Sequence, residues 1–306
     1  MAAGHEPDFR QKRDLHLVVT DSGLGGLSVC AEVERNLRRA GRGGNIRLTY
    51  FNASPDRQRG YNDMPGMASR ARMFDRALES MGRFQPDVIL IACNTLSIVY
   101  RLTEFSGKSE IPVHGIIEAG LDLCHESLCA DPGGSLVILG TRTTIESGVH
   151  RDGLVQKGVE PRRIAAVSCH GLAAATEVDP DGPVVAGLIE RCAAEAGNAG
   201  LPGEILYAGL CCTHYTYVSG YIREALERHT GMTVRTLDPN VSLADSVAAG
   251  MQSAQAGPAG GATTVEVVSK VELDSSKRRV IAGRLEPIST ATAQALLSYT
   301  HIPDLF

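Results

Sequence analysis

The sequence predicts an α/β protein of two similar domains, with mainly parallel sheets flanked by helices and a pseudo-twofold relation between the halves. Three observations carry this. Apolar runs of strand length alternate with helical patterns along most of the chain. A shift of 119 residues lays VVTDSG (18–23) over VILGTR (137–142) and VILIACNT (88–95) over YAGLCCTH (207–214). Both halves then end a buried strand in a cysteine, Cys93 and Cys212, and open α/β sheets bind ligands at that end. Two such halves facing each other bring two thiols to one cleft.

Each element follows from its local pattern. HLVVT (16–20) is a β-rich apolar run. DSGLGG (21–26) turns into a helix whose apolar residues Leu27, Cys30, Val33 and Leu37 recur at spacings of three, three and four. Glu32 and Glu34 precede Arg38 and Arg39, as the helix dipole favours, and Gly41 is the expected stop. IRLTYF (46–51) is a strand and 66–83 a helix. PDVILIAC (86–93) is continuously apolar, as a strand covered on both faces must be, and IPVHGII (111–117) is a further strand. SLVILG (135–140), IAAVSC (164–169), EILYAGLCC (204–212) and TVRTLD (233–238) continue the series, with helices at 182–198 and 219–229. AGPAGGA (256–262) breaks it as a surface loop, before the strand TTVEVVS and a last helix near 288–299. The expected division is a flexible N-terminal tail at 1–14, a first domain of 15–112 plus 236–306, and a second of 113–235.

Composition narrows the function. A chain of 306 residues can bury a sizeable core, and a net charge of −5 without a basic stripe gives no electrostatic footing for nucleic acid. No apolar run reaches membrane-spanning length, so no membrane partner is expected. The first residues, MAAGHEPDFRQKRD, lack the apolar core of a secretory signal. The eight cysteines show no CxxC spacing, which argues for reduced thiols in a cytoplasm and against a structural zinc site. No metal is expected.

Two thiols stand out. Cys93 is followed by Asn94 and Thr95, good helix caps, and a helix N-terminus lowers a thiol's pKa. Cys212 is followed by Thr213 and His214, which suits His214 as an acid–base helper. Strand alternation turns Cys211 the other way, into the core. Cys30, Cys124, Cys129 and Cys192 read as small core hydrophobes. DSGLGG reads either as a tight turn needing glycine or as a cradle of backbone N–H groups for a small carboxylate. It has neither GxGxxG nor GK[ST] spacing. Asp21 ends a buried strand, where a carboxylate is costly unless paired or functional.

DSGLGGLSV (21–29), ACNT (92–95), GIIEAG (115–120), LGTRTTIES (139–147) and CCTHY (211–215) together resemble the aspartate/glutamate racemase family, over about residues 15–245. The resemblance implies an active site between two α/β domains and no pyridoxal or other cofactor. It implies cofactor-independent interconversion of L- and D-glutamate, with one cysteine removing the α-proton and the other delivering a proton to the opposite face. On that pattern Cys93 and Cys212 are the acid–base pair, Asp21 assists Cys93, and Glu177 and His214 assist Cys212. Ser22, Asn94, Thr95 and Thr213 would hold the amino acid's polar groups. Arg59 and Gly60 fall where the family contacts substrate, although Gln58-Arg59-Gly60 replaces its Pro-Tyr-Gly; Arg57 and Arg59 could read a second carboxylate. Cys169-His170, His150 and Thr216 are further departures, all expected at the pocket. The resemblance also implies a cytoplasmic enzyme supplying D-glutamate for peptidoglycan, and a homodimer. Two alternatives stay open. The same site could act on another small acid, as an aspartate racemase or as an isomerase or decarboxylase of a related diacid. The cleft could also bind a small acid without catalysis.

Overall fold

The computed structural model describes residues 12–40, 44–57, 59–252 and 261–306. Most of the expected tail, the stop at Gly41, Gln58 and residues 256–260 of the AGPAGGA loop lie outside the described residues. In chain order the elements are β1 (Leu15–Asp21), α1 (Leu27–Ala40), β2 (Ile46–Asn52), α2 (Gly66–Gly82), β3 (Val88–Ile91), α3 (Asn94–Tyr100), α4 (Phe105–Lys108), β4 (Val113–Gly115) and α5 (Ile116–Ala130). Next come β5 (Ser135–Gly140), α6 (Arg142–Glu146), α7 (Val149–Gln156), β6 (Ile164–Ser168), α8 (Leu172–Val178), α9 (Pro183–Gly197), β7 (Ile205–Cys211), α10 (Ser219–Thr230), β8 (Thr233–Leu237) and α11 (Pro239–Gln252). The chain ends in β9 (Thr263–Ser269), α12 (Ser275–Leu285), α13 (Thr290–Leu297) and β10 (Thr300–His301).

The strands form two parallel sheets, β10-β9-β2-β1-β3-β4 and β6-β5-β7-β8. With β9 and β10 set aside, the first sheet has the order of the second: each half's second strand lies outside its first, followed by the third and fourth. The 119-residue repeat therefore describes a shared topology. β4 (to Gly115) belongs to the first sheet, just past the expected boundary at 112, and β8 (to Leu237) runs across the one at 235. The expected strand 111–117 is cut short because a helical pattern takes over: Ile117, Leu121, Cys124 and Leu128 are spaced four, three and four, and all are buried.

Helices cover both faces of each sheet. Along β3 the side chains alternate: Val88 and Leu90 enter the core that includes α1 and α11, while Ile89 and Ile91 enter the core beside α2. The four are fully buried, each contributing about 1.5–3 kcal/mol relative to exposure. The same alternation continues past the strand end, so Ala92 joins the first core and Cys93 the second. In β7, Leu206, Ala208 and Leu210 share a core with Cys212, whereas Tyr207 and Cys211 face the opposite core beside α5. The adjacent cysteines point to opposite faces, as expected. Cys129 does not follow expectation: it is exposed near the end of α5, 3.4 Å from His125 Nε2.

Candidate active site

Asp21 ends β1 and is only 1 % exposed. Three donors offset its burial: Ser22 N–H (2.5 Å), Ser22 O–H (3.2 Å) and, from the other half, Thr213 O–H (2.7 Å). Ser22 Oγ also lies 3.3 Å from Cys93 Sγ, so one hydroxyl bridges carboxylate and thiol. Cys93 itself is the N-cap of α3, with Asn94 and Thr95 inside the first turn rather than capping it. The helix N-terminus does not make this thiol acidic. Burial, then the Asp21 charge, pushes Cys93 well above the usual thiol range, against the weaker pull of the Ser22 hydroxyl and the Leu96 N–H.

Cys212 is held differently. It caps a 3-10 turn over Thr213–Val218, and His214 Nδ1 lies 3.8 Å from its sulfur. The opposite ring nitrogen, Nε2, is 2.8 Å from Glu177 Oε1. That oxygen also accepts the Leu24 N–H at 2.9 Å, and Glu177 Oε2 lies 3.5 Å from Lys277 Nζ. Burial alone would lower His214, but the Cys212 sulfur and the Glu177 carboxylate raise it well above its ordinary value. Burial would raise Glu177, but the His214 hydrogen bond and charge, the Leu24 N–H and Lys277 hold it at about 2. The result is a buried imidazole–carboxylate pair behind one thiol, in which each partner favours the other's charged form.

The glycines of DSGLGG have a specific purpose. A Cβ on Gly25 would sit 2.3 Å from Thr213 Oγ1 and 2.5 Å from His214 Nδ1, and one on Gly23 would sit 2.7 Å from Glu177 Oε1. The loop is bare so that the second half can lie against it. Its backbone gives one N–H, that of Leu24, to a carboxylate, and that carboxylate is the chain's own Glu177. Tyr217 O–H points to the Leu24 and Gly25 carbonyls at 3.3 Å, and Tyr50 O–H to the Gly23 carbonyl at 2.6 Å, which fixes the loop from both sides.

Both thiols line one cavity of about 50 Å³, and Cys211 borders it too, although it packs in the core beside α5. Asp21, Ser22, Asn62, Asn94 and Thr95 join it from the first half, and Thr141, Thr144, Thr213 and His214 from the second. Thr95 Oγ1 lies 3.0 Å from Thr141 Oγ1 and 3.4 Å from Thr144 Oγ1, and Thr143 O–H donates to Asn62 Oδ1 at 2.6 Å. Asn94 is 3 % exposed, and neither its amide nitrogen nor its amide oxygen has a partner within the described protein. A buried, unpaired amide costs about 1–3 kcal/mol, so the site holds both a donor and an acceptor ready for a ligand.

Of the expected site residues, Cys93, Cys212, Asp21, His214, Ser22, Asn94, Thr95 and Thr213 meet at this cavity, and Glu177 stands behind His214. Arg59 and Gly60 do not reach it. Arg59 is exposed, and the Gly60 N–H caps a short turn by donating to Asp63 Oδ2 at 2.9 Å. Arg57 pairs with exposed Glu272 at 2.8 Å. From this loop it is Asn62 that lines the cavity. His150, Cys169, His170 and Thr216 are not lining residues either. His150 is buried with no partner for either ring nitrogen among the described residues, and burial lowers it to about 4; Thr216 O–H donates to Asp238 at 2.8 Å. Sequence reasoning missed Asn62, Thr141, Thr144 and Lys277. For the two threonines a signal existed, since LGTRTTIES was singled out as a motif.

Among the described residues no group of three or more His, Cys, Asp or Glu side chains is placed to hold a metal ion, and no helix is long and apolar enough to cross a membrane.

Comparison with known proteins places the chain. The sequence model of the Asp/Glu/hydantoin racemase family matches residues 18–254. The glutamate racemase of Granulibacter bethesdensis is 28% identical over 238 residues, covering 78% of this chain and 79% of that protein. The glutamate racemase of Chlorobaculum tepidum is 26% identical over 240 residues, covering 78% and 80%. Among solved structures, a glutamate racemase from Bacillus anthracis has the same fold, with a TM-score of 0.67 at 20% identity over 95% of this chain and 96% of that one. One from Francisella tularensis, solved with D-glutamate, has a TM-score of 0.66 at 18% identity over 90% and 95%.

Proposed function

The chain belongs to the Asp/Glu/hydantoin racemase family, and from that premise we propose that it interconverts L- and D-glutamate without a cofactor, by proton transfer between Cys93 and Cys212. The observation that carries this reading is the single cavity shared by two thiols, each with its own acid–base partner. Inverting a carbon needs a base on one face and an acid on the other.

In the proposed reaction the amino acid lies between the two sulfurs. One sulfur, as thiolate, takes the α-proton, and the opposite thiol gives its proton to the other face. The charge that develops on the substrate carboxylate needs donors already in place, and the Asn94 amide supplies them without reorganisation. The Asn94 oxygen can accept from the substrate ammonium. Ser22 and Thr95 add hydroxyls, while Thr213 acts mainly through its bond to Asp21. Asp21 answers for the state of Cys93, and the His214–Glu177 pair for that of Cys212. Each thiol must serve as acid in one direction and base in the other, so its neighbours must let it exchange roles. A role in supplying D-glutamate for peptidoglycan, in the cytoplasm and as a homodimer, belongs to the same proposal.

A second reading has its own support. The described lining residues include no lysine or arginine, and His214 is committed to Cys212 and Glu177. A side-chain carboxylate would therefore rest on neutral hydroxyl and amide groups, which suits aspartate or another small acid as well as glutamate. Chiral separation after incubation with each enantiomer of glutamate and of aspartate, without added cofactor, tests both. Appearance of the opposite enantiomer of glutamate, lost in Cys93→Ala and in Cys212→Ala, is the expected result. Inversion of aspartate alone would move the substrate; inversion of neither would remove the amino-acid reading.

A further inference from the structure

The segment after residue 254 lies beyond the span that the family model matches, yet it reaches the candidate site. α12 packs its buried Ile281, Ala282 and Leu285 into the core of the first sheet. From that base it extends two cations to the other half. Arg284 Nη2 lies 2.5 Å from Asp181 Oδ1, next to the turn into α9, and Lys277 Nζ lies 3.5 Å from Glu177 Oε2. The first turn of α12 is pinned by Asp274, whose carboxylate accepts from the Ser276 and Lys277 N–H groups. Lys277 is thus aimed from an anchored turn.

The two oxygens of Glu177 have different work. Oε1 takes the Leu24 N–H and His214 Nε2. Oε2 has Lys277. A carboxylate with both oxygens engaged cannot turn without losing a contact, so the lysine helps to fix the plane that Glu177 presents to the imidazole. We propose that Lys277 is a positioning residue for the proposed proton transfer, holding Glu177 in the orientation that orders His214 against Cys212. This rests on the racemase reading above and names a part of it that the segment outside the matched span supplies. Other charged groups that line the same pocket of about 240 Å³ as Glu177 and Lys277 are Asp56, Arg57, Glu272 and Asp274. The phenols of Tyr50 and Tyr217 are near enough to feel its charge, and Cys212 lies beyond the imidazole.

The test uses the full chain and three variants: Lys277→Met, Lys277→Arg and Arg284→Met. Two readouts are followed across pH: kcat with D- and with L-glutamate, and the His214 imidazole resonances in protein labelled with 15N-histidine, without substrate. Without the lysine cation the Glu177 charge acts less screened on the imidazole, so Lys277→Met should move the His214 titration and the basic limb of the kcat profile to higher pH, by about half a unit. It should lower kcat roughly threefold, the scale of a half-exposed ion pair. Lys277→Arg should restore both. Arg284→Met breaks the other α12 ion pair without touching Glu177 and should move neither profile. The proposal is overturned if Lys277→Met leaves the His214 titration unchanged, or if Arg284→Met shifts it equally, since α12 would then act only as a strap. If the unaltered chain turns over neither glutamate enantiomer, the glutamate reading fails, and the imidazole titration still decides the role of Lys277.

Discussion

On the Cys93 side of the cavity the thiol meets a carboxylate through one hydroxyl, Asp21–Ser22–Cys93. On the Cys212 side it meets a histidine that is itself clamped by Glu177, with a backbone N–H and a lysine behind. The strands that present the two sulfurs correspond under the 119-residue repeat; their partners do not. Asp21 ends the strand next to β3, within its own sheet, whereas Glu177 comes from α8, outside the sheet altogether. The repeat therefore sets where the sulfurs stand, and elements that do not correspond between the halves set how each is tuned. The tuning also crosses the cleft. Asp21 takes a hydroxyl from Thr213, and Glu177 takes an N–H from Leu24, so each half contributes a donor to the other half's carboxylate.

The largest expected effect tests the likeness of the two sides. Cys93→Ala and Cys212→Ala should each lower racemisation by about 10²–10⁴ or more, since each removes one acid–base group. Each variant should still exchange the α-proton of one enantiomer with solvent, and the two variants should choose opposite enantiomers. Exchange of the same enantiomer by both would break the two-sided account.

The next effect tests the difference. Enantiomers have equal free energies, so kcat/KM must be the same in both directions whatever is mutated. Asymmetry can show only in kcat and KM taken separately. Asp21→Asn and Glu177→Gln should each cut turnover roughly tenfold to a hundredfold, with the larger fall in kcat in opposite directions for the two variants. Full progress curves from each enantiomer measure this; equal falls in both directions would mean that the partners serve the site as a whole.

Stability gives a smaller, signed contrast. Glu177 is depressed from 4.5 to about 2, so its contribution is complete above about 4.5 and is lost as pH falls towards 2. His214 is raised above 6.5, so its contribution is complete below 6.5 and is lost as pH rises through its folded value. The pair should therefore support the fold most between about pH 4.5 and 6.5, by up to about 3 kcal/mol. Denaturant midpoints across pH should show this plateau in the unaltered chain and a flatter curve in Glu177→Gln.

The smallest effect concerns the rim. Asn62→Ala removes the bond to Thr143 that joins the halves over the cavity. A hydrogen bond of this kind is worth about 0.5–1.5 kcal/mol, so KM should change by a few-fold with kcat nearly kept. A large fall in kcat would instead make Asn62 part of the chemistry.

Much of this arrangement was legible in the sequence. Strand alternation separates Cys211 from Cys212 without any structure, because the period of two is a property of the backbone. Strand ends locate Cys93 and Cys212 because parallel sheets leave their carboxyl ends open. What stayed hidden depends on contacts between remote positions. Thr213 and Asp21 are 192 residues apart, and Leu24 and Glu177 are 153 apart. Lys277 lies beyond a glycine-rich stretch in a segment with no motif, and only the packing of α12 brings it to Glu177. Arg59 misled because charge and sequence position do not say which way a loop faces; the neighbouring turn sends Asn62 inward instead. At Cys93 a helix N-terminus favours the thiolate, but burial, which the local sequence does not reveal, outweighs it.

The central claim is that Cys93 and Cys212 act on opposite faces of one carbon, each with its own proton. Proton NMR in D2O, starting from a single enantiomer and read at early times, tests it most directly. Two thiols predict that the newly formed enantiomer carries deuterium while the remaining starting enantiomer keeps its α-proton, because the proton taken by one sulfur is not the one given by the other. Deuterium entering the starting enantiomer as fast as the product forms would point to one group serving both faces, and would contradict the account.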